Sequence, residues 1–336
     1  MVLKNQTGKI GVSVYMKKDQ YEFSIIIPCR NRCDTLRQVL VALECQTFPQ
    51  RAFQVIVIDD QSTDGTDVFL ANFQKQTCLN LTALAGKGTT AGAARNTGLE
   101  KACGEQILFL DADTIPHKNL LIQHQSWQHH FGDKTCIVGR VCMSESLKKA
   151  EQSRVNEAAT KYDKQCTAEL PWPEYRTANT SIAREICLRA GGFDSRLPAA
   201  EDTEFASRLV KLGVRFFFVR DIEVVHHHPM DEKGYFHKGI LYGRAIALWY
   251  RKAPEHRAVL VHRYGVYAPE LKKYRKVKHI FRRFFINSLS VPILVSTARF
   301  IRSTWFEMSN HVYKCVYRYY VRQAFRSSLS DITTGG

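Results

Sequence analysis

Three short apolar runs constrain the fold of this chain more than any other feature of its sequence. The runs are FSIIIP at residues 23–28, FQVIVIDD at 53–60 and GEQILFLDAD at 104–113. Short runs rich in β-branched residues are typical of strands buried on both faces of a parallel sheet. Between the first two runs, residues 36–43 place Leu and Val at helical spacing. Strands that alternate with helices predict a doubly wound α/β sheet with right-handed crossovers.

Two of these runs end in paired carboxylates. Asp59 and Asp60 close the second run, and Asp111 and Asp113 close the third. Ligands of doubly wound sheets bind at the carboxyl ends of the strands. A divalent cation there is usually held by one or two carboxylates and by substrate phosphates. The pairs therefore predict a site for a metal and a phosphorylated ligand. The alternative is that each pair lies in a solvated turn, with Asp64 capping the next helix.

Two further motifs carry titratable side chains. Residues 201–204, EDTE, come directly before an amphipathic helix, and residues 226–228 are three histidines after the apolar strand IEVV. Acids in a first helical turn are favoured by the helix dipole alone, but a carboxylate held in a cleft is also what a general base requires. Imidazole is a common metal ligand, whereas a histidine triplet by itself is more often a surface or structural feature.

The positive charge is concentrated in the C-terminal part. The chain of 336 residues has a formal net charge of +16, and from Arg251 onward 17 Lys and Arg stand against four acids, a net charge of +13. A basic tail indicates an anionic partner, either a membrane surface or a nucleic acid, with a merely solvated surface as the alternative. The ten cysteines form no CxxC pair, which favours a reducing compartment. The N-terminal residues have no apolar signal core, so we expect no export signal.

The tail also has an amphipathic pattern. Lys or Arg stands at every fourth position of residues 314–326, and aromatic residues fall on the other faces, which predicts a basic helix able to dock on an anionic membrane. Residues 284–301 are apolar but are interrupted by Pro292 and Arg299, so a peripheral association is favoured over a spanning helix. The alternative is that these apolar faces pack on the main domain or on a second subunit in a homodimer. We divide the chain into a lead-in (1–21), a main domain (22–245) and a basic helical extension (246–336).

Five ordered blocks resemble one known family. SIIIPCRNR, VIVIDDQSTDGT, AGAARNTGLEKACGEQILFLDAD, TANTSIAREICLRAGGFDSRLPAAEDTEFASRL and HHHPMDEKGYFHKGILYGRA, spread over residues 22–245, resemble the family 2 inverting glycosyltransferases of the GT-A fold. The resemblance implies a GT-A type doubly wound mixed sheet. It also implies the transfer of a sugar from a nucleotide-sugar, a UDP-sugar by default, to an acceptor hydroxyl in a single in-line displacement.

The resemblance assigns roles residue by residue. Contacts with the donor nucleotide are implied for Pro28, Arg30, Asn31, Asp59, Asp60, Arg95, Asp111 and Asn179. Mn²⁺ or Mg²⁺ would be held by Asp111, Asp113 and His226, with His228 as a rival to His226. The catalytic base would be Asp202, with Glu201 beside it. The donor sugar and the acceptor would be bordered by the loop Gly191, Gly192, Phe193 and Asp194.

Two departures from the family pattern refine these expectations. Gln61 stands where many relatives have Gly after the Asp pair, and the QxxRW signature of polymerising synthases is not in the sequence. We therefore expect a single-addition transferase that acts on a glycan or lipid-linked acceptor in envelope polysaccharide synthesis, in the cytoplasm and peripheral on the inner face of the cell membrane.

Two other functional classes stay open from the sequence. A sugar nucleotidyltransferase also places carboxylates at strand ends, but its Gly-rich, Lys-bearing loop does not follow the first strand. A non-enzymatic nucleic-acid-binding protein would explain the net charge, but no zinc knuckle or RNP-type aromatic motif supports it, so no nucleic acid is expected.

Overall fold

The structure is a computed structural model that describes residues 21–144, 165–227, 229–266 and 285–330. The lead-in residues 1–20, His228 and the basic residues 267–284 lie outside the described residues, so the expectations for them stay predictions. All ten cysteines lie within the described ranges and are free thiols.

A mixed nine-stranded sheet forms the centre of the described chain, with the spatial order β3-β2-β1-β4-β8-β6-β9-β5 and β7 paired to β9. The strands are β1 (Phe23–Cys29), β2 (Phe53–Asp59), β3 (Leu81–Ala85), β4 (Gln106–Leu110), β5 (Thr114–Pro116), β6 (Thr135–Met143), β7 (Thr167–Leu170), β8 (Asn179–Ala183) and β9 (Arg215–His226). Strands β1 to β4 run parallel, whereas β8 is antiparallel to both β4 and β6. The predicted doubly wound mixed sheet is confirmed.

Helices cover both faces of the sheet, and four more helices form the C-terminal part. They are α1 (Cys33–Glu44), α2 (Thr66–Phe73), α3 (Ala91–Lys101), α4 (Leu120–Phe131), α5 (Arg184–Arg189), α6 (Glu201–Lys211), α7 (Glu232–Lys252), α8 (Arg257–Tyr264), α9 (Ser290–Phe300) and α10 (Phe306–Ser330). Helix α1 buries the apolar stripe that its sequence spacing predicts, which consists of Leu36, Val39, Leu40 and Leu43.

The pattern of β1 shows why the sheet is covered on both sides. Ile25 and Ile27 point into the cluster that contains α1 and α4, whereas Ile26 points into the opposite cluster with α3 and α6. All three are fully buried. A continuous apolar run is therefore needed here, because side chains alternate between the two faces of a strand and both faces exclude water.

The register of the parallel strands brings their carboxyl ends to one edge. Cys29 of β1 lies opposite Asp59 of β2, and Ile26 of β1 lies opposite Phe109 of β4. The loops that follow β1, β2 and β4 consequently leave the sheet side by side. This edge is where the predicted site residues meet.

The C-terminal helices decide between two expectations for part of α10. Tyr317 and Tyr313 pack on α7: the ring centroids of Tyr235 and Tyr317 are 4.8 Å apart and those of Phe236 and Tyr313 are 5.9 Å apart. The predicted cationic stripe of α10 is also incomplete, since Arg322 is only 8% exposed. This part of the aromatic face of α10 thus packs on the protein itself. No helix in the described ranges is long and apolar enough to cross a membrane.

Helix α7 runs without a break across residues 245 and 246, between which the sequence division places the domain boundary. The division at that point therefore stays a prediction based on composition.

Candidate active site

The loops that follow β1 and β2 are hydrogen-bonded to each other at the carboxyl edge of the sheet. Asn31 has a left-handed φ of +53°, and its Oδ1 accepts a hydrogen bond of 2.7 Å from the backbone N–H of Thr63. The N–H of Asn31 donates to Ser62 Oγ at 2.9 Å. Pro28, near the end of β1, is half-buried, and Arg30 is exposed in the loop. The end of β1 and this loop therefore hold the three residues expected to contact the donor base, and that contact stays a prediction.

The two carboxylates after β2 differ in their surroundings. Asp60 is 6% exposed, and its Oδ1 accepts a 2.6 Å hydrogen bond from the N–H of Gly88. Asp59 is half-buried, and its Oδ1 accepts a 3.1 Å hydrogen bond from the N–H of Ser62. Asp60 thus fixes the loop after β3, and Asp59 is the more accessible of the two for a ligand.

The backbone and side chain of Gln61 show what this residue does at a position where many relatives have Gly. Its φ is +61°, in the left-handed region that glycine adopts without cost. For a residue with a Cβ this conformation costs about 1 kcal/mol. The side-chain Nε2 of Gln61 donates to the carbonyl oxygen of Lys87 at 3.3 Å. Glycine would relieve the backbone at this position but would lose that hydrogen bond to the neighbouring loop.

Arg95 on α3 links two of the predicted motifs. Its Nη1 donates to Glu201 Oε1 at 2.8 Å, and its Nη2 donates to Asp111 Oδ1 at 3.1 Å. The residue is 5% exposed, so the guanidinium balances two carboxylates where water has little access. The Asp-x-Asp motif and the Glu-Asp motif are consequently parts of one cleft.

The second carboxylate of the Asp-x-Asp motif faces a histidine. Asp113 Oδ1 lies 3.6 Å from His226 Nε2, and Asp113 Oδ2 accepts a 3.4 Å hydrogen bond from Arg32 Nε. Burial in the cleft raises the pKa of Asp111 above its ordinary value; Arg95 opposes this shift and Asp113 adds to it. Asp111 and Asp113 thus repel each other, and a bound cation would reduce that repulsion.

Within the described residues, no group of three or more His, Cys, Asp or Glu side chains forms a metal site. The donor set of Asp113 and His226 nevertheless suits a divalent cation. Two ligand atoms at about 2.1 Å from one octahedral cation lie about 3 Å apart, close to the observed 3.6 Å between Asp113 Oδ1 and His226 Nε2. Asp111 keeps 36% of its side chain exposed beside them. These three residues fit the expected metal, and ligation by them stays a prediction.

Helix α6 begins with the predicted base. Ala200, the residue before it, has a left-handed φ of +57°, so the chain turns sharply before Glu201 and Asp202. Asp202 Oδ1 accepts hydrogen bonds from the N–H of Thr203 at 2.6 Å and from Thr203 Oγ1 at 3.2 Å. Burial raises the pKa of Glu201, as does the neighbouring Asp202, against the lowering effect of Arg95. Asp202 is 8% exposed and keeps its second oxygen without a hydrogen bond to any described residue.

The loop 191–194 is fixed by a residue to which the sequence analysis gave no role. Asn96 Oδ1 accepts from the N–H of Phe193, and Asn96 Nδ2 donates to its carbonyl, both at 2.8 Å. Gly192 has a φ of +65°, and a Cβ there would lie 2.5 Å from Asn96 Oδ1. Asn96 lies directly after Arg95 in α3, so one turn of helix holds both the base motif and this loop.

Two members of that loop are engaged with the protein. Phe193 is 3% exposed and packs on Phe205, with ring centroids 4.4 Å apart. Asp194 accepts hydrogen bonds from Arg196 Nε at 2.9 Å and from Lys252 Nζ at 2.8 Å, and these cations hold its pKa well below the ordinary range, against the effect of burial. The loop is thus anchored to α6 and α7, Gly192 is buried, and Gly191 is its exposed residue.

Asn179 requires a correction. It was expected to border the donor sugar, but it is 1% exposed. Its Nδ2 donates to the carbonyls of Ile222 at 3.1 Å and Arg140 at 3.2 Å, and its Oδ1 lies 2.9 Å from His124 Nε2. The amide is therefore used within the sheet, because β8 lies between β4 and β6, and it has no donor left for a sugar.

The sequence analysis also missed a tyrosine cluster beside the base. Tyr242 on α7 and Tyr264 on α8 have ring centroids 5.8 Å apart. Burial raises the pKa of Tyr264, and the nearby Thr203 side chain opposes this shift. Both tyrosines, and the exposed Arg176, interact electrostatically with Asp202. No local pattern marks these residues, because they come from three separate segments and are ordinary helix or loop residues in the sequence.

The sequence of this chain is similar to those of known glycosyltransferases. A family model described as glycosyl transferase family 2 matches residues 24–186. Glycosyltransferase AglE of Haloferax volcanii is 26% identical over 211 residues, which cover 61% of this chain and 66% of that protein. The chain spans between 19% and 66% of the length of the first curated relatives that it matches.

Solved structures share the architecture. The mannosyltransferase PcManGT from Pyrobaculum calidifontis, in complex with GDP-Man and Mn²⁺, has a TM-score of 0.60 at 19% identity, over 93% of this chain and 88% of that one. TarS 1–349 of S. aureus, in complex with UDP-GlcNAc, has a TM-score of 0.53 at 17% identity, over 94% and 92% of the two chains. At such identities the likeness establishes the fold and nothing finer.

Proposed function

Because this chain belongs to the family 2 glycosyltransferases and has the GT-A fold, we propose that it transfers a sugar from a nucleotide-sugar to an acceptor hydroxyl with inversion at the anomeric carbon. A UDP-sugar is the first candidate for the donor. The observation that carries the proposal is the bridge through Arg95, which joins Asp111 at 3.1 Å and Glu201 at 2.8 Å. Through this bridge the carboxylates expected on the donor side and those expected on the acceptor side line one cleft.

The donor would lie along the carboxyl edge of the sheet. Asp59, with its accessible position after β2, would accept hydrogen bonds from the base or ribose, and Arg30 and Asn31 would flank the base. Asp111 would face the ribose and the diphosphate. Arg95 would act mainly by holding Asp111 in place, since both of its Nη atoms are already hydrogen-bonded to carboxylates.

Asp202 would act as the base. Its Oδ1 is fixed by Thr203, which leaves Oδ2 to receive the proton of the acceptor hydroxyl. As that proton moves, the acceptor oxygen bonds to the anomeric carbon from the face opposite the diphosphate. The bond from the anomeric carbon to the diphosphate oxygen breaks, and its electron pair leaves with the nucleoside diphosphate. One displacement of this kind inverts the configuration.

Mn²⁺ or Mg²⁺ would be held by Asp113 and His226, with Asp111 beside them. When bound, the cation would neutralise negative charge on the leaving diphosphate. Arg32, which donates to Asp113 Oδ2 at 3.4 Å, would orient that carboxylate.

The acceptor would be a glycan or a lipid-linked sugar that reaches the cleft from the side of Tyr242 and Tyr264. We propose that the basic C-terminal part keeps the protein peripheral on an anionic membrane surface, where such an acceptor is presented. Aromatic side chains beside Asp202 support an acceptor sugar there, because aromatic rings provide an apolar surface and hydroxyl groups together.

The test is calorimetric titration with UDP, GDP and dTDP, with and without Mn²⁺, followed by transfer assays. We expect one nucleotide to bind in a metal-dependent manner. Asp202→Asn should lower transfer by about a thousandfold and leave nucleotide binding unchanged. Asp221→Asn, at a carboxylate that is 66% exposed, is the control and should transfer normally. If folded wild-type protein binds none of the nucleotides, the proposal is wrong.

A further inference from the structure

Helix α9 and the residues on either side of it, up to the first turn of α10, expose large apolar side chains, which we name the α9 patch. Its exposed fractions are high: Phe285 56%, Leu289 83%, Ile293 68%, Phe300 87%, Trp305 60% and Met308 45%. Leu289, Ile293 and Phe300 are four and seven residues apart, so they lie on one face of the helix. Exposed apolar residues that are scattered singly need no explanation, but a contiguous patch marks an interaction surface.

The opposite face of α9 is already used. Val291, Val295 and Ala298 are buried, and the two valines pack with Val316 of α10. Arg299 forms an ion pair with Glu232 of α7 that includes a 2.9 Å hydrogen bond to Glu232 Oε2. The helix is therefore fixed on the protein by one side. Its outer side carries Leu289, Ile293 and Phe300 together with the exposed Ser296 and Thr297, so it is more apolar than is usual for a surface helix.

We propose that the α9 patch inserts into the headgroup and acyl boundary of a bilayer that carries anionic lipids. The inference rests on the part of the proposed function that places the acceptor at a membrane, and it names the surface that docks. With 11 residues, α9 is far shorter than a spanning helix needs to be, so it lies along the interface. Trp305 at the end of the patch is of the residue type that favours this boundary.

The charge of this part of the sequence favours an anionic partner. The 18 residues that come before Phe285 in the sequence carry seven Lys and Arg and a single acid, Glu270. Residues 285–308 contain Arg299 and Arg302 against one acid, Glu307. On α10, which supports the patch, Lys314 and Arg318 are exposed. Cations beside an exposed apolar helix face are the combination that recognises anionic lipid.

A second copy of this chain fits less well as the occupant. It would bring together two C-terminal parts that each carry a net charge of +13. An anionic bilayer removes this difficulty, because it supplies apolar depth and negative headgroups at once.

The test is flotation of the full chain with vesicles of phosphatidylcholine plus phosphatidylglycerol, and with vesicles of phosphatidylcholine alone. We expect binding to the anionic vesicles, and the double variant Ile293→Ser with Phe300→Ser should weaken it by about a hundredfold. Val68→Ser on α2, at a side chain that is 61% exposed outside the patch, is the matched control and should bind as wild type does. All three substituted side chains are exposed, so we expect the variants to fold.

Three results would overturn the proposal. The first is equal vesicle binding by the double variant and wild type. The second is equal binding of wild type to both kinds of vesicle, which would remove the anionic requirement. The third is a wild-type dimer, seen by sedimentation without vesicles, that the double variant dissociates; the patch would then join two copies. Nucleotide titration of the same samples keeps this proposal separate from the proposed reaction, since vesicle binding without any nucleotide binding would contradict only the latter.

Discussion

The Nη1 atom of Arg95 lies 2.8 Å from Oε1 of Glu201, although the two residues are 106 positions apart in the sequence. Arg95 lies on α3, the helix that follows β3, and Glu201 is the first residue of α6, the helix that precedes β9. Because the second Nη atom of Arg95 holds Asp111, this contact fixes the distance between the proposed donor site and the proposed base.

Replacing this arginine should therefore affect both stability and catalysis. Arg95→Met leaves the largely buried Glu201 and the partly exposed Asp111 without a cation, and we expect the free energy of unfolding to fall by about 3 kcal/mol. We expect transfer to fall by about a hundredfold, because the donor carboxylate and the base lose their common support. Chemical denaturation and steady-state kinetics measure the two effects.

A second substitution separates the effect on stability from the effect on transfer. In Arg95→Met combined with Glu201→Met, one unpaired carboxylate is removed, so stability should recover in part while transfer stays low. Arg215→Met, which breaks an exposed ion pair with Glu169, is the control and should change stability by less than about 1 kcal/mol. Full recovery of transfer in the double variant would show that Arg95 has no role in positioning the base.

The raised pKa of Asp111 predicts proton release on metal binding. Burial raises this pKa, so part of the protein holds a proton on Asp111 at a pH where an ordinary aspartate is ionised, and a cation must displace it. The affinity for Mn²⁺ with UDP should then rise as the pH rises through the raised pKa. Calorimetry in buffers of different ionisation enthalpy counts the released protons, and Asp111→Asn should abolish the release. A proton count of zero across the mildly acidic range would contradict this role.

The same shifts have a consequence for the stability of the metal-free protein. The pKa values of both Asp111 and Glu201 are raised on folding, so each carboxyl binds its proton more tightly in the folded state. Their contribution to stability is present at low pH and is lost as the pH rises through the raised pKa values. Denaturation of metal-free protein over this range should show the decrease, and the variant Glu201→Gln should show a smaller one. A free energy of unfolding that rises equally with pH in wild type and in Glu201→Gln would contradict this contribution of the two carboxyls.

The tyrosine next to the base should affect the reaction without affecting the donor. The Tyr264 hydroxyl lies close enough to Thr203 for the Thr203 side chain to affect its pKa, and Thr203 Oγ1 donates to Asp202 Oδ1 at 3.2 Å. Tyr264→Phe removes this hydroxyl, and we expect transfer to fall by about tenfold. The dissociation constant for the nucleotide should not change. Tyr320→Phe, on α10 and packed against Phe236, is the control; an equal loss of activity in both variants would mean that Tyr264 has no specific role.

Two glycines on α7 provide a graded test of how closely α10 packs. A Cβ at Gly243 would meet the carbonyl oxygen of Val321 and would lie 2.7 Å from Ala324 Cβ, whereas at Gly239 the nearest atom is the carbonyl oxygen of Tyr317 at 3.1 Å. Gly243→Ala should destabilise the protein by about 2 kcal/mol through overpacking. Gly239→Ala should be near neutral, because the gain of about 1 kcal/mol in helix propensity offsets a mild contact. Thermal unfolding measures both, and a Gly239→Ala variant that is the less stable of the two would contradict this packing.

The sequence by itself determined the layout of the sheet and the position of its carboxylates. The continuous apolar runs of β1, β2 and β4 predict strands buried on both faces, and all three strands are found there. These features depend on residues within a few positions of one another, because the alternation of side chains and the spacing of a helical stripe are local properties. The residues that end a parallel strand are equally local, so Asp59 and Asp111 could be placed at the edge of the sheet before any coordinates were known.

Tertiary structure alone decided which side chains stay available. Asn179 stands in a motif that predicts a ligand contact, but its strand lies between β4 and β6, and the amide is consumed by the carbonyls around it. The sequence left open whether the aromatic residues of α10 face a membrane or pack on the protein; Tyr313 and Tyr317 pack on α7, and large exposed apolar side chains lie on and beside α9. A sequence shows that an amphipathic face exists. Which partner buries it depends on the closure of distant segments and on close contacts such as that at Gly243, which no local pattern records.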